Sequence, residues 1–312
     1  MISESIIKTV LEKVLCLKEN EKFLVITDTD KEELAKPFYD YAKNISDAEI
    51  IMFKALNVDG EEPPQEVSES MKNKDVVLII TKASLTHTKA VREALTTGGR
   101  GVSCPGITKE MLERCVDIDY NQLKQFHNFL HPIIKSSQEI KITDDNGTNI
   151  IVKVRNTRGD SESLIKDQPG KAGNLPMGEV DSGIETANGK IVIDGSMSGV
   201  GIINNPIELE VKDKMVKIIS ENSESKKLKE LLDNIGENAY LLAELGIGTN
   251  PKSILTGEVL EDEKIKGTIH FAVGNDTTYG GDNNVPIHLD GVITKPTMIV
   301  DNKVIIRNGR YV

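Results

Sequence analysis

The pattern of apolar residues changes near residues 136–140, and that change constrains the fold of this 312-residue chain more than any other feature. Before it, short apolar runs alternate with stretches of helical period. After it, short apolar runs follow one another across turn signals, with a single helix among them.

In the first part, Ser3 stands as a helix cap ahead of Ile6, Ile7, Val10, Leu11 and Val14 at helical spacing. Strands are expected at residues 23–27, 49–53 and 76–81, with a shorter one near 101–103. Helices are expected up to Lys43, over 88–96 and over 119–134. Strands separated by helices build βαβ units and a parallel sheet. From Glu139 onward, EIKIT and NIIVKV flank a DDNG turn, and KIVIDGS, IELEV and MVKIIS read as further strands. One helix, over 223–235, interrupts them, and TMIVDNKVIIRNG reads as a hairpin turning at Asp301-Asn302. The expected architecture is an α/β N-terminal domain with a parallel sheet, residues 1–137, and a β-rich α+β C-terminal domain, residues 138–312, that carries the metal site.

Composition removes several function classes. There are 49 acidic against 38 basic residues, a net charge of -11, and no long basic block. Such a chain is a poor ligand for nucleic acid or anionic membranes. Trp is absent and aromatics are 4%, which leaves little for base stacking. Cys16, Cys104 and Cys115 form no C-x-x-C pair and read as reduced thiols. The first 20 residues are charged and amphipathic, unlike a secretory leader. No apolar run approaches the roughly 18 residues of a membrane span. A cytoplasmic location is expected. The sequence holds no G-x-G-x-x-G, no P-loop and no G-x-S-x-G.

What remains is a constellation of metal-ligand side chains. Of five histidines, two lie in the Gly-rich run 267–297: His270, and His288 in the triplet His288-Leu289-Asp290. In a strand, residues i and i+2 share a face, so His288 and Asp290 aim at one space. His270 sits among apolar residues that predict a buried strand. Glu244, in YLLAELGIG, also has only apolar or Gly neighbours. A carboxylate buried there costs several kcal/mol unless it is paired. Glu179 follows the turn Asn174-Leu175-Pro176-Met177-Gly178. Imidazoles and carboxylates in this combination suit Zn, Mn, Co or Fe. Tyr279, before Gly280-Gly281, is a candidate proton donor. Glu261 and Asp262 read as exposed, and His127 and His131 lie outside the constellation.

These motifs resemble the thermophilic aminopeptidase T family of M29-type metallo-aminopeptidases. The resemblance runs through SLTHTKAVREA, PGITKEMLERC, LPMGEV, the Glu244-Leu245-Gly246 triplet, LEDEKIKGTIHFAVG and HLDGVITKPT, in order along most of the chain. It implies two divalent ions held by Glu179, Glu244, His270, His288 and Asp290. It also implies a tyrosine ligand at a spacing that Thr277 occupies here, with Tyr279 the nearest tyrosine. Glu179 or Glu244 would then shuttle a proton. The substrate would be a small peptide or amide, cleaved at its amino-terminal bond, and the assembly a homodimer. The chain is shorter than typical members, much of the difference lying between His270 and His288. The same fold is similar to that of 2,5-dihydroxypyridine dioxygenase, an iron enzyme. A His270, His288 and Asp290 set would serve such a mononuclear iron site. Retention of both glutamates points to two ions and hydrolysis. A metal-binding protein without turnover is the third reading.

Overall fold

The computed structural model describes residues 2–58, 60–86, 88–159 and 164–312. His87, in the SLTHTKAVREA motif, lies outside the described residues. The chain forms two compact units: Met1–Tyr120 with Ser161–Met177, and Asn121–Asp160 with Gly178–Val312.

The first unit is an α/β layer structure. Its parallel sheet has the order Asp47–Phe53, Lys22–Asp28, Val76–Ile80, Arg100–Ser103, Ala172–Asn174. Val76–Ile80 is buried along its whole length, as a parallel strand covered on both faces must be. Helices Glu32–Ala42, Gln65–Met71 and Lys89–Thr96 connect the strands. The Thr88 hydroxyl caps the last of them by accepting from the Val91 N–H at 3.3 Å. Ser3 does not cap with its side chain: its Oγ donates to Glu113 instead, at 2.8 Å. The fifth strand, Ala172–Asn174, has no apolar period to announce it. It joins this sheet only after the chain has visited the second unit. Cys16, Cys104 and Cys115 are all free thiols. Among the described residues no helix is long and apolar enough to cross a membrane.

The second unit is a curled, antiparallel sheet of thirteen strands among the described residues. The expected hairpin forms between Ile140–Thr143 and Asn149–Arg155. Its neighbour is a 15-residue strand, Glu179–Ile193. One end of that strand pairs with Leu242–Gly248 and the other with Ile207–Lys212. Leu242–Gly248 pairs in turn with Ile269–Gly274, and that strand with His288–Ile293. Helix Tyr120–Lys135 contributes Leu130 and Ile134 to the core of this unit, which is why it belongs here. The α/β unit with a parallel sheet and the β-rich unit are the fold class expected from the sequence.

The Asp301-Asn302 turn joins Thr297–Val300 to Lys303–Arg307 with positive φ at both residues, 45° and 67°. A two-residue hairpin turn of this hand suits Asn and Asp. The Asp301 carboxylate also accepts from the backbone N–H groups of Gln138 and Glu139, at 3.0 and 2.9 Å. One side chain thus ties the hairpin to the start of the sheet. Asp301→Ala should cost about 1–2 kcal/mol, through lost hydrogen bonds and a left-handed backbone that Ala resists. A urea titration that left the midpoint unmoved would contradict this role.

Candidate metal centre

Four neighbouring strands of the second unit build the site on one face and the core on the other. Val180, Ile184, Leu245, Ile247, Ile269, Phe271, Val273 and Ile293 all point into the hydrophobic core. Alternation then sends Glu179, Asp181, Glu244, Gly246, His270, Ala272, His288 and Asp290 to the opposite face. The register makes them neighbours. Gly246 lies opposite both Asp181 and His270, Glu179 opposite Gly248, and Asp290 opposite Ala272.

A β-bulge between Leu242 and Glu244 is essential to this placement. Leu242 and Leu245 both reach the core, which strict alternation forbids. The extra residue, Ala243, switches the facing and turns Glu244 toward the site. Gly246 makes the room: a Cβ there would lie 1.9 Å from His270 Nε2.

The two imidazoles converge on Glu244. His288 Nε2 lies 2.8 Å from Glu244 Oε2, and His270 Nε2 lies 3.3 Å from Glu244 Oε1. Asp290 Oδ1 is 3.6 Å from His288 Nε2, and Glu179 Oε2 is 3.5 Å from His270 Nε2. His288 Nδ1 faces the Asn275 carbonyl at 2.8 Å. That nitrogen therefore carries the proton and donates, which orients Nε2 toward the site. All five residues singled out from the sequence thus meet in one place. His270 is fully buried, and Glu244 is buried with it.

Glu263 and Lys264 join them, unforeseen from the sequence. Lys264 Nζ pairs with Glu179 Oε1 at 2.5 Å and with the Glu263 carboxylate. The signal was present: an acid-base dipeptide just ahead of the buried His270 strand. Glu261 and Asp262, expected to be exposed, are fully buried. Their carboxylates accept backbone N–H groups, Glu261 from Ile254 at 2.8 Å and Asp262 from Thr256 and Gly257 at 2.7 and 2.9 Å. They hold a loop rather than face the site. His127 is also buried in this unit, its Nε2 2.9 Å from the Thr249 hydroxyl.

Asp181 is not among the residues expected from the sequence: Glu179 follows a turn there, whereas in the structure it opens a strand, and Asp181 shares its face. It carries a second polar group. The Tyr279 hydroxyl donates to Asp181 Oδ2 at 2.6 Å, and Arg158 Nη2 donates to the same oxygen at 2.6 Å. The Arg158 guanidinium lies 4.7 Å from the centre of the Tyr279 ring. Tyr279 therefore reaches the site through Asp181.

The electrostatics follow from burial and an excess of carboxylates. Burial alone would raise the Glu244 carboxyl, but the hydrogen bonds from His270 and His288 hold it well below the usual range. Burial disfavours the charged form of His270, yet Glu244 and its acidic neighbours push the imidazole up to about 10. Burial likewise works against charged His288, but Asp290 and Glu244 drive it well above the ordinary value. Burial raises Glu263 to about 8 and also raises Glu179, each against the opposing Lys264 charge. Burial, with the charges of Asp181 and Glu244, keeps Tyr279 a neutral phenol. Protons on the imidazoles thus balance the acids here. A divalent cation satisfies the same imbalance. Three groups offer ligand atoms all within 4.8 Å of one another: Glu179, Glu244 and His270; Glu244, His288 and Asp290; Glu263, His270 and Asp290. The donor set of imidazoles and carboxylates fits a first-row transition metal.

Two outcomes follow. Because an ion and a proton compete for His288 Nε2, metal uptake should release protons and tighten as pH rises. Calorimetry in buffers of different ionisation enthalpy measures this directly; uptake with no proton release would contradict it. Gly246→Ala should displace the His270 ring and weaken metal binding by about 10–100-fold, the cost typical of disturbing a ligand's support. Unchanged affinity in that variant would remove His270 from the site.

The sequence profile of the NicX family, 2,5-dihydroxypyridine 5,6-dioxygenase, matches residues 14–312. No curated protein matches the chain. Among solved structures, 2,5-dihydroxypyridine dioxygenase from Pseudomonas putida KT2440 superimposes with a TM-score of 0.84 at 16% identity, covering 99% of this chain and 96% of that one. Wild-type AmpT from Thermus thermophilus superimposes with a TM-score of 0.71, also at 16% identity, covering 99% and 98%. The M29 resemblance is therefore supported by structure, and at these identities both likenesses establish the fold alone. The profile match, which spans nearly the entire chain, is what assigns kinship: the protein belongs to the NicX, or 2,5-dihydroxypyridine 5,6-dioxygenase, family.

Proposed function

We propose that this chain is a ferrous-iron-dependent oxygenase acting on a hydroxylated aromatic or N-heteroaromatic ring. The observation that supports the reading is the convergence of His270 and His288 on a carboxylate, with Asp290 beside them, in a chain of the NicX family. Two imidazoles and one carboxylate, with open positions, are the ligand set of non-haem iron oxygenases. His270, His288 and Asp290 would hold the ion, with Glu244 adjoining both imidazoles. When bound, iron supplies the electron transfer that oxygen chemistry needs.

The chain's own residues do the rest. The Asn275 carbonyl fixes the His288 ring through Nδ1, which leaves Nε2 facing the site. Arg158 holds Asp181 in place, and Asp181 positions the Tyr279 hydroxyl. The Tyr279 proton lies at the edge of the site, available to a substrate oxygen that displaces Asp181 as its acceptor. A ring hydroxyl is a ligand that such a phenol and guanidinium pair can orient.

A second reading keeps one observation in its favour. Glu179 and Glu263 add carboxylates beyond the three ligands of a mononuclear iron site. The AmpT fold is shared as well. Hydrolysis of an amino-terminal peptide or amide bond by two ions is the reading those carboxylates support.

The two readings separate in one experiment. Protein stripped of metal is reloaded with Fe under nitrogen, and in parallel with Co, Mn or Zn. Each sample is offered dihydroxypyridines and catechols in air, and p-nitroanilides and unblocked peptides under nitrogen. Oxygen uptake with iron and a ring diol is expected, and His288→Ala should lower it at least about 100-fold. Peptide cleavage without oxygen, restored by Co or Mn, would overturn the oxygenase reading.

A further inference from the structure

Of the three ligand groups in the site, two already contain a carboxylate that carries a lysine. Glu179 belongs to one group and Glu263 to another, and the Lys264 ammonium bonds to both. The third group is Glu244, His288 and Asp290. Among the described residues, no lysine pairs with any of its members.

Lys264 is no adaptable surface cation. Its side chain is 4% exposed. The backbone around it is held on both sides: the Lys264 N–H donates to Glu261 O at 3.0 Å, and the Asn250 N–H donates to Lys264 O at 2.8 Å. The buried carboxylates of Glu261 and Asp262 fix the loop just ahead of it. The ammonium is therefore delivered to a set point between two acids. An ammonium and a metal ion seek the same partners there, carboxylate oxygens with no water between.

We infer that Lys264 takes the place of a second metal ion, so that the site holds one divalent ion, the one held by His270, His288 and Asp290 beside Glu244, and that a neutral residue at 264 opens a second ion site on Glu179 and Glu263. The inference rests on the metal-site reading above, and it favours mononuclear chemistry within it. Burial keeps Glu179 and Glu263 dependent on whatever cation lies between them, so removing Lys264 leaves two acids in need of one. Lys264 acts here as a positioning residue through charge and not through contact with substrate.

Metal counting tests this without any turnover assay. Wild-type protein, Lys264→Met and Lys264→Arg are saturated with Mn, freed of excess by gel filtration and analysed for bound metal. One ion per chain is expected in the wild type and in Lys264→Arg, and two in Lys264→Met. If Lys264→Met does not fold without metal, it is refolded with excess Mn before counting. Two ions in the wild type overturn the proposal with no variant needed. One ion in both wild type and Lys264→Met overturns the role of Lys264 and leaves the metal reading standing. No ion in the wild type overturns the metal reading itself.

Discussion

The site depends on the antiparallel register of four strands, those bearing Glu179, Glu244, His270 and His288. That register is enforced by the hydrophobic effect on the other face of the sheet. A slip of one residue would turn the core side chains out and bring Glu179, Asp181, Glu244, His270, His288 and Asp290 into the core, at a cost of many kcal/mol. The ligands are therefore held not by one another but by the packing of Leu245, Ile247, Phe271 and Val273 beneath them. Their mutual repulsion is tolerated because the sheet cannot relax without losing its core.

Within that constraint, small residues and one irregularity do the fine placement. Gly246 leaves space over the strand for the His270 ring, and Ala272 sits between Glu244 and Asp290 in the register. The bulge at Ala243 brings Glu244 to the functional face. Regular pleating would have buried it beside Leu242 in the core. A metal site assembled from adjacent strands in this way is stiff, which suits selection of an ion by geometry and ligand type.

The charge balance is the second organising element. Five carboxylates gather here: Glu179, Asp181, Glu244, Glu263 and Asp290. Arg158 and Lys264 are the permanent cations set against them, one on Asp181 and one on Glu179 and Glu263. Protons on His270 and His288 offset part of the remaining charge. A fold shared with both neighbours does not by itself assign the reaction.

Much of this was legible along the chain. The βαβ alternation, the DDNG and Asp301-Asn302 hairpins and the five ligand-type residues follow from apolar periodicity, turn chemistry and the cost of burying charge, all local properties. Asp181 could be found in the same way once residue 179 is seen to open a strand. The presence of both glutamates in the sequence does not reveal that Lys264 lies against Glu179, 85 residues away. Nor does local pattern show that Ala172–Asn174 returns to the first sheet, that a bulge re-aims Glu244, or that Glu261 and Asp262 turn inward to hold a loop. Those are decided by long-range pairing and by where each buried carboxylate finds its donor, and both are properties of the folded chain alone.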